Sequence, residues 1–234
     1  MILNTPTQPT AAADLSAKDR FEWIHGEIRD RICLLDYAPG TRLSEVALAE
    51  EFGISRTPLR RVLGRLEDEG LLQSVHGAGT FVTEVSLEEL EQTFQLRMEL
   101  AGLLGQLSPK QDLDEIIGTF HRLADRSLDG LQDQDPRAFA QLLTDFFRTT
   151  LLLTDNQPLR DTAERLYYRT ARFWLQSVFA SRLDLAAEME IFHRELKDVI
   201  GALQIGDLHA AALMQRAHIS MSFVRMKAGQ LSAL

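Results

Sequence analysis

The chain has 234 residues, 25 Lys+Arg against 34 Asp+Glu for a formal net charge of −9, and a single cysteine. That length suits one or two domains with cores large enough to stand without disulfide or metal staples, and one thiol excludes a disulfide framework. No apolar run approaches the ~20 residues of a membrane span and no basic stretch followed by an apolar one opens the chain, so a soluble cytoplasmic protein, not bound to a membrane, is expected.

Residues 1–16, rich in Thr, Pro and Ala and without periodicity, are predicted to form a disordered tail. From Lys18 to Asp36 the apolar residues Phe21, Ile24, Ile28, Ile32 and Leu35 recur at helical spacing, with Pro39 and Gly40 closing the helix. Cys33 falls among these residues and reads as core packing. Leu43 to Phe52 (LSEVALAEEF) offers Ser44 as N-cap of a second short helix, and Gly53 supplies a tight turn.

The stretch GISRTPLRRVLGRLEDEG, residues 53–70, then carries a helix start at Ser55, a proline in the first turn at Pro58 and a stop at Gly70. Leu59, Val62, Leu63 and Leu66 share one side, which must face a core. At about 100° per residue, Thr57, Arg61 and Gly64 point away from that core, Arg60 and Arg65 flank it, and Arg56 sits at the exposed start. No acidic residue lies between Ser55 and Leu66. Gly64 costs roughly 1 kcal/mol in a helix interior, so a partner is expected to approach that face closely.

Downstream, Leu71–Val75 and Thr80–Thr83 are β-rich runs joined by His76, Gly77, Ala78 and Gly79, a hairpin with a nearly bare tip. Helix, turn, helix and hairpin together predict a winged helix-turn-helix. Residues 1–84 hold 9 Lys+Arg against 13 Asp+Glu, so even this half is acidic. Binding to phosphates must then rest on local concentration of arginine in the acid-free helix, with modest affinity per subunit and a need for dimerisation.

The run PGTRLSEVALAEEFGISRTPLRRVLGRLEDEGLLQSVHGAGTFV closely resembles the N-terminal domain of GntR-family transcriptional regulators. The resemblance implies that Arg56, Thr57, Arg60, His76 and Gly77 contact DNA. Arg61 joins them as a candidate, although a glutamate is frequent in the family at that place, and Val46 stands where some relatives carry a phosphate-contacting arginine.

After a connector at Glu84 and Val85, Ser86 with Glu89 forms a capping box that opens a second domain. Helical periodicity then runs to the end, broken at Ser108-Pro109, Gly130–Pro136, Asp155–Pro158, Ser181–Asp184 and Gly206. The expected division is a tail at 1–16, a winged helix-turn-helix domain at 17–84 and an all-α bundle of about six helices at 85–234. The fold class is therefore mainly α.

Arg97 occupies the stripe Leu87, Leu90, Phe94, Arg97, Ala101, Leu104, where a guanidinium facing a core needs an anion: the carboxylate of a bound effector, or that of another helix. Arg165, Arg169 and Arg172 flank the apolar face of the fourth bundle helix and read as solvent or interface residues. His218 lies on the stripe Ala211, Met214, His218, Met221, and His193 at the edge of its own stripe near Met189 and Ile200. Each fits either the lining of a ligand pocket or a hydrogen-bonded structural role.

The order of helices and the segment HRELKDVIGALQIGDLHAAALMQRAH resemble the FCD effector-binding domain of the FadR-like subfamily. Many such domains bind a divalent metal through an aspartate, a histidine four residues on, and two later histidines. The later pair matches His193 and His218, but the first pair falls on Leu143 and Phe147, which cannot ligate, and two histidines alone make an incomplete site. No cofactor is therefore expected, and a larger apolar pocket at Leu143 and Phe147, with Arg97, His193 and His218, is expected to take an organic or acyl acid.

These readings converge on a metabolite-responsive regulator, a repressor that binds a near-palindromic operator in double-stranded DNA as a homodimer. The alternative is a constitutive DNA-binding protein whose helical domain only dimerises. Six scattered histidines and Cys33 build no specific Ser-His-Asp or Cys-His arrangement, which argues against an enzyme.

Overall fold

A computed structural model describes residues 15–180 and 183–231. The predicted tail lies outside the described residues up to position 14, and its last residue, Ser16, belongs to the fold as the N-cap that accepts the Asp19 N–H. Two compact units, Met1–Glu84 and Val85–Leu234, divide the chain.

The first unit runs α1 (Ala17–Cys33), β1 (Arg42–Leu43), α2 (Glu45–Glu51), α3 (Arg56–Asp68), β2 (Leu72–Val75) and β3 (Gly79–Val82). α1 and α2 pack on α3, burying Ile24, Ile28 and Ile32 against Leu59, Val62, Leu63 and Leu66. Full burial of each such side chain contributes about 1.5–3 kcal/mol. α1 stops at Cys33, before the predicted Asp36, because Leu35 turns left-handed (φ 63°) and the Asp36 N–H reaches back 2.8 Å to the Arg31 carbonyl. A Schellman-like closure therefore ends the helix ahead of Pro39 and Gly40.

The strands form an antiparallel sheet in the order β1-β3-β2, with Arg42 opposite Phe81 and Ser74 opposite Thr80. β1 went unpredicted because two residues carry no alternation. It is held from outside itself, by Gly40 N–H to the Val82 carbonyl and Val82 N–H to the Thr41 carbonyl, both 2.9 Å.

The second unit is α4 (Leu87–Leu103), α5 (Asp114–Asp133), α6 (Pro136–Leu151), α7 (Gln157–Phe179), α8 (Leu185–Gln204) and α9 (Leu208–Leu231). The capping box of Ser86 and Glu89 opens α4, and Asp135, Asn156 and Asp184 cap α6, α7 and α8. α5 runs through Gly130 and ends at Asp133, inside the predicted Gly130–Pro136 break, and a Cβ on Gly130 would stand 3.2 Å from Met189 Cε, so the glycine eases packing against α8. α9 packs on both α4 and α8, while α7 lies against α4 and α6. Its buried line is Ala211, Ala212, Gln215 and Met226, rotated from the predicted stripe, and Met221 is 47% exposed. Among the described residues no helix is long and apolar enough to cross a membrane.

Candidate functional site

In the first unit the start of α3 presents Arg56, Thr57, Arg60 and Arg61, all exposed. Ser55 caps with extended backbone (φ −75°, ψ 163°) but without a side-chain hydrogen bond. Arg56 makes no hydrogen bond or ion pair among the described residues. Arg60 Nε donates to Glu45 Oε2 at 2.8 Å, and Arg61 lies 5.9 Å from the centre of the Phe21 ring. Arg65 belongs to the scaffold: it donates to both Glu22 oxygens at 2.8 Å and to Glu69 at 3.2 Å. At Gly64 a Cβ would meet nothing within 4 Å, so no contact inside the unit demands a glycine there.

The wing is fixed to this helix. Glu67 accepts from the Ser74 N–H at 2.7 Å and the Ser74 hydroxyl at 2.8 Å, and Thr83 donates to the Gly70 carbonyl at 2.9 Å. The exposed tip holds His76 and Gly77, the latter at φ 75°, a conformation that favours glycine. Arg42 lies along the wing: a Cβ on Gly79 would stand 3.0 Å from its Nε. This exposed arginine carries no sequence signal, because a two-residue strand shows no alternation; its pairing with the GTFV strand places it here.

Behind α3, His25 is 2% exposed and its Nε2 lies 2.8 and 2.9 Å from the two Glu69 oxygens. Burial alone would raise the Glu69 pKa, but the hydrogen bond and charge from His25, with Arg65 and Arg29, bring it below the usual carboxylate value. α1 is thereby anchored to the end of the reading helix.

In the second unit a cavity of about 130 Å³ is lined by residues that include Arg97, Leu143, Phe147 and His218. Arg97 stacks between Phe94 (4.8 Å) and Tyr167 (5.1 Å), and its Nη1 donates to Thr170 Oγ1 at 2.7 Å. Burial pushes its pKa down to about 10, so it stays charged at neutral pH. The internal ion pair that sequence reasoning allowed does not form: among the described residues no carboxylate comes within salt-bridge distance of Arg97. Phe147 stacks flat on Tyr167, centroids 3.9 Å apart, completing an aromatic wall.

Three buried polar atoms of the lining residues, Glu195 Oε1, Gln215 Oε1 and His218 Nδ1, have no hydrogen-bond partner among the described residues. An unsatisfied buried group costs about 1–3 kcal/mol. The Gln215 amide is oriented by its neighbour: Thr150 donates its hydroxyl to the Phe147 carbonyl at 2.7 Å and can therefore only accept, so Gln215 Nε2 donates to it at 2.8 Å and Oε1 faces the other way. Glu195 Oε2 and His218 Nδ1 are 3.7 Å apart. Burial, aided by Glu188 and Asp198, raises the Glu195 pKa to about 7, and burial lowers that of His218 to about 4, so His218 is neutral at neutral pH and the two do not form an ion pair. Glu188, by contrast, is bound by Arg225 at 2.5 and 3.0 Å.

The structure does not bring His193 to the cavity. It points toward α5, where Nδ1 lies 2.8 Å from Ser127 Oγ, and burial followed by Lys197 lowers its pKa. The metal of related domains does not fit these residues: Leu143 and Phe147 offer hydrocarbon, and no group of three or more His, Cys, Asp or Glu able to hold a metal occurs among the described residues. Arg172, expected at solvent or an interface, is 0% exposed, a correction that α7 explains by burying residues on most of its circumference.

A winged helix-turn-helix followed by an all-α unit is the architecture of a DNA-binding transcriptional regulator. Residues 22–82 match the bacterial regulatory proteins, gntR family, and residues 92–221 match the FCD domain. The chain belongs to the GntR family and carries an FCD domain.

It is 27% identical over 227 residues to the HTH-type transcriptional regulator Rv0494 of Mycobacterium tuberculosis, covering 88% of each chain. It is 24% identical over 195 residues to the HTH-type transcriptional repressor RspR of Escherichia coli, covering 80% of this chain and 79% of that one. In fold it is similar to E. coli McbR/YncC, with a TM-score of 0.75, 18% identity and coverage of 91% and 98%. Both families and these relatives are transcriptional regulators, and this chain is a regulator rather than an enzyme.

Proposed function

We propose that the protein is a cytoplasmic, metabolite-responsive repressor that binds a near-palindromic operator as a homodimer and is released or repositioned when an organic acid occupies the FCD cavity. Arg56 and Arg60 contact base edges or adjacent phosphates, Thr57 a phosphate or thymine methyl, Arg61 the backbone, and His76 with the Gly77 backbone the minor groove or its edge. The FCD site comprises Arg97, Leu143, Phe147 and His218, while His193 lies outside it against Ser127.

The observation that carries the sensor reading is Arg97: a guanidinium charged at neutral pH, held in an aromatic wall, with no carboxylate of its own among the described residues. The cavity of about 130 Å³ is close to the ~150 Å³ known to hold benzene, which favours an acid of one-ring size over a long acyl chain. Repression is supported by the name of RspR.

Selection of binding sites from random duplex DNA, followed by anisotropy on the selected duplex while small carboxylates are added, tests the proposal. Expected is a two-fold related site and an acid that both raises the melting temperature and lowers DNA affinity. Strong DNA binding that no acid alters would point instead to a constitutive binder.

A further inference from the structure

Arg97 and the unpartnered polar atoms of the cavity differ in chemistry. Arg97, from α4, offers only donors. On α8 and α9, Glu195 Oε1, Gln215 Oε1 and His218 Nδ1 are the unpartnered atoms, and each can accept. Glu195 Oε1 accepts as a carboxylate oxygen, Gln215 Oε1 because Thr150 fixes the amide, and His218 Nδ1 when the ring hydrogen is on Nε2.

The charges are divided in the same way. Glu188 and Arg225 neutralise each other, which leaves Arg97 and Glu195 as the unmatched cation and acid of the lining. α4 and α8 pack on α9, which carries Gln215 and His218 one turn apart between them. A simple carboxylate would satisfy Arg97 and leave three buried acceptors without a donor. A hydroxyl has one hydrogen to give, whereas a primary ammonium has three.

We infer that the effector is a small zwitterion: a carboxylic acid and a primary ammonium joined by a short apolar body, its carboxylate on Arg97, its ammonium on Glu195 and His218, and the Gln215 oxygen, which shares a small adjoining void with Arg97, between them. This rests on the cavity being the effector site and narrows the class of acid that enters it.

Calorimetry on the full chain with matched probes tests the inference: 6-aminohexanoate, hexanoate and hexylamine, and the ring set 4-(aminomethyl)benzoate, benzoate and benzylamine. In at least one set the zwitterion is expected to bind tenfold or more tighter than either parent. Glu195→Gln is expected to reduce it to the level of the plain acid, and Arg97→Met to that of the plain amine, with Arg97→Lys retaining part of the advantage if the methionine variant folds poorly. If hexanoate or benzoate binds as well as its amino derivative and Glu195→Gln changes nothing, the acceptors are met by water, and the inference fails while the organic-acid reading survives. If no member of either set binds, the inference is overturned. The broader carboxylate screen then decides separately whether the cavity senses an acid at all.

Discussion

A Cβ built on Gly105 would stand 2.4 Å from the carbonyl oxygen of Leu208 and 3.0 Å from the Cα of His209, so the end of α4 touches the start of α9 backbone to backbone. Backbone cannot swing aside as a flexible side chain does. Gly105→Ala is expected to destabilise the helical unit by about 1–3 kcal/mol, the usual cost of overpacking. Gly201→Ala, inside α8 with nothing within 4 Å, is the control, and is expected to gain about 0.5–1 kcal/mol from helix propensity. Urea denaturation of both variants checks the contrast.

Arg56→Ala is expected to abolish site-specific DNA binding while the fold persists, since the side chain is exposed and a base-edge contact supplies about 1–3 kcal/mol of discrimination. Arg65→Ala is expected to keep sequence preference and lose some stability, because Arg65 ties α3 to Glu22 and Glu69. Anisotropy titrations on a selected duplex and on a scrambled one separate the two effects; an Arg56 variant with wild-type preference would move the reading face elsewhere.

In the helical unit, Arg97→Met is expected to leave the ligand-free protein as stable as the wild type or more so. The substitution removes a desolvated charge and strands no carboxylate. Had an internal ion pair existed, the same change would cost about 3–5 kcal/mol. Melting curves without ligand distinguish these outcomes.

The Glu69 pKa is lower in the folded state than its ordinary value of 4.5. A depressed carboxylate contributes stability that is present above the unfolded pKa and lost as pH falls through the folded one. The winged unit is therefore expected to weaken below about pH 4.5, with Glu69→Gln flattening that acid limb. Fluorescence of Trp23, packed on Phe52 at 5.6 Å, reports this unit once the other tryptophan is replaced by Trp174→Phe. An unchanged acid limb in Glu69→Gln would assign the loss to other carboxylates.

Elemental analysis of the purified protein is expected to find no stoichiometric Zn, Ni or Mn, and chelators are expected to leave its melting temperature and DNA affinity unchanged. One tightly held metal per chain would mean that His193 or His218 recruits further ligands.

The winged unit was legible because its signals are local: Ser44 and Gly53 fix a turn, four leucine and valine positions fix the rotation of α3, and two glycines fix the wing tip. β1 and with it Arg42 were missed because that strand exists only through pairing with β3. In the bundle, helix ends were visible in their caps, and the apolar stripe put Arg97 on the side of α4 that lines the cavity, although Leu87 of that stripe is exposed. Faces of α9 and α7 were not: α9 is apolar over much of its surface, so periodicity alone set its stripe one step off, and Arg172 is buried because several helices enclose α7. Glu195 and Gln215 gave no sign at all, since the sequence pattern says nothing about whether a polar side chain has found a partner.

The amide of Gln215 owes its orientation to Thr150, a hydroxyl that does not line the cavity. Replacing Thr150 by valine would remove the acceptor that holds Nε2 and leave cavity volume, aromatic wall and net charge untouched. The amide would then be at liberty to turn, offering hydrogens where it had offered a lone pair. Ligand preference can thus be weakened from behind the wall, by a change that no comparison of cavity-lining residues would register.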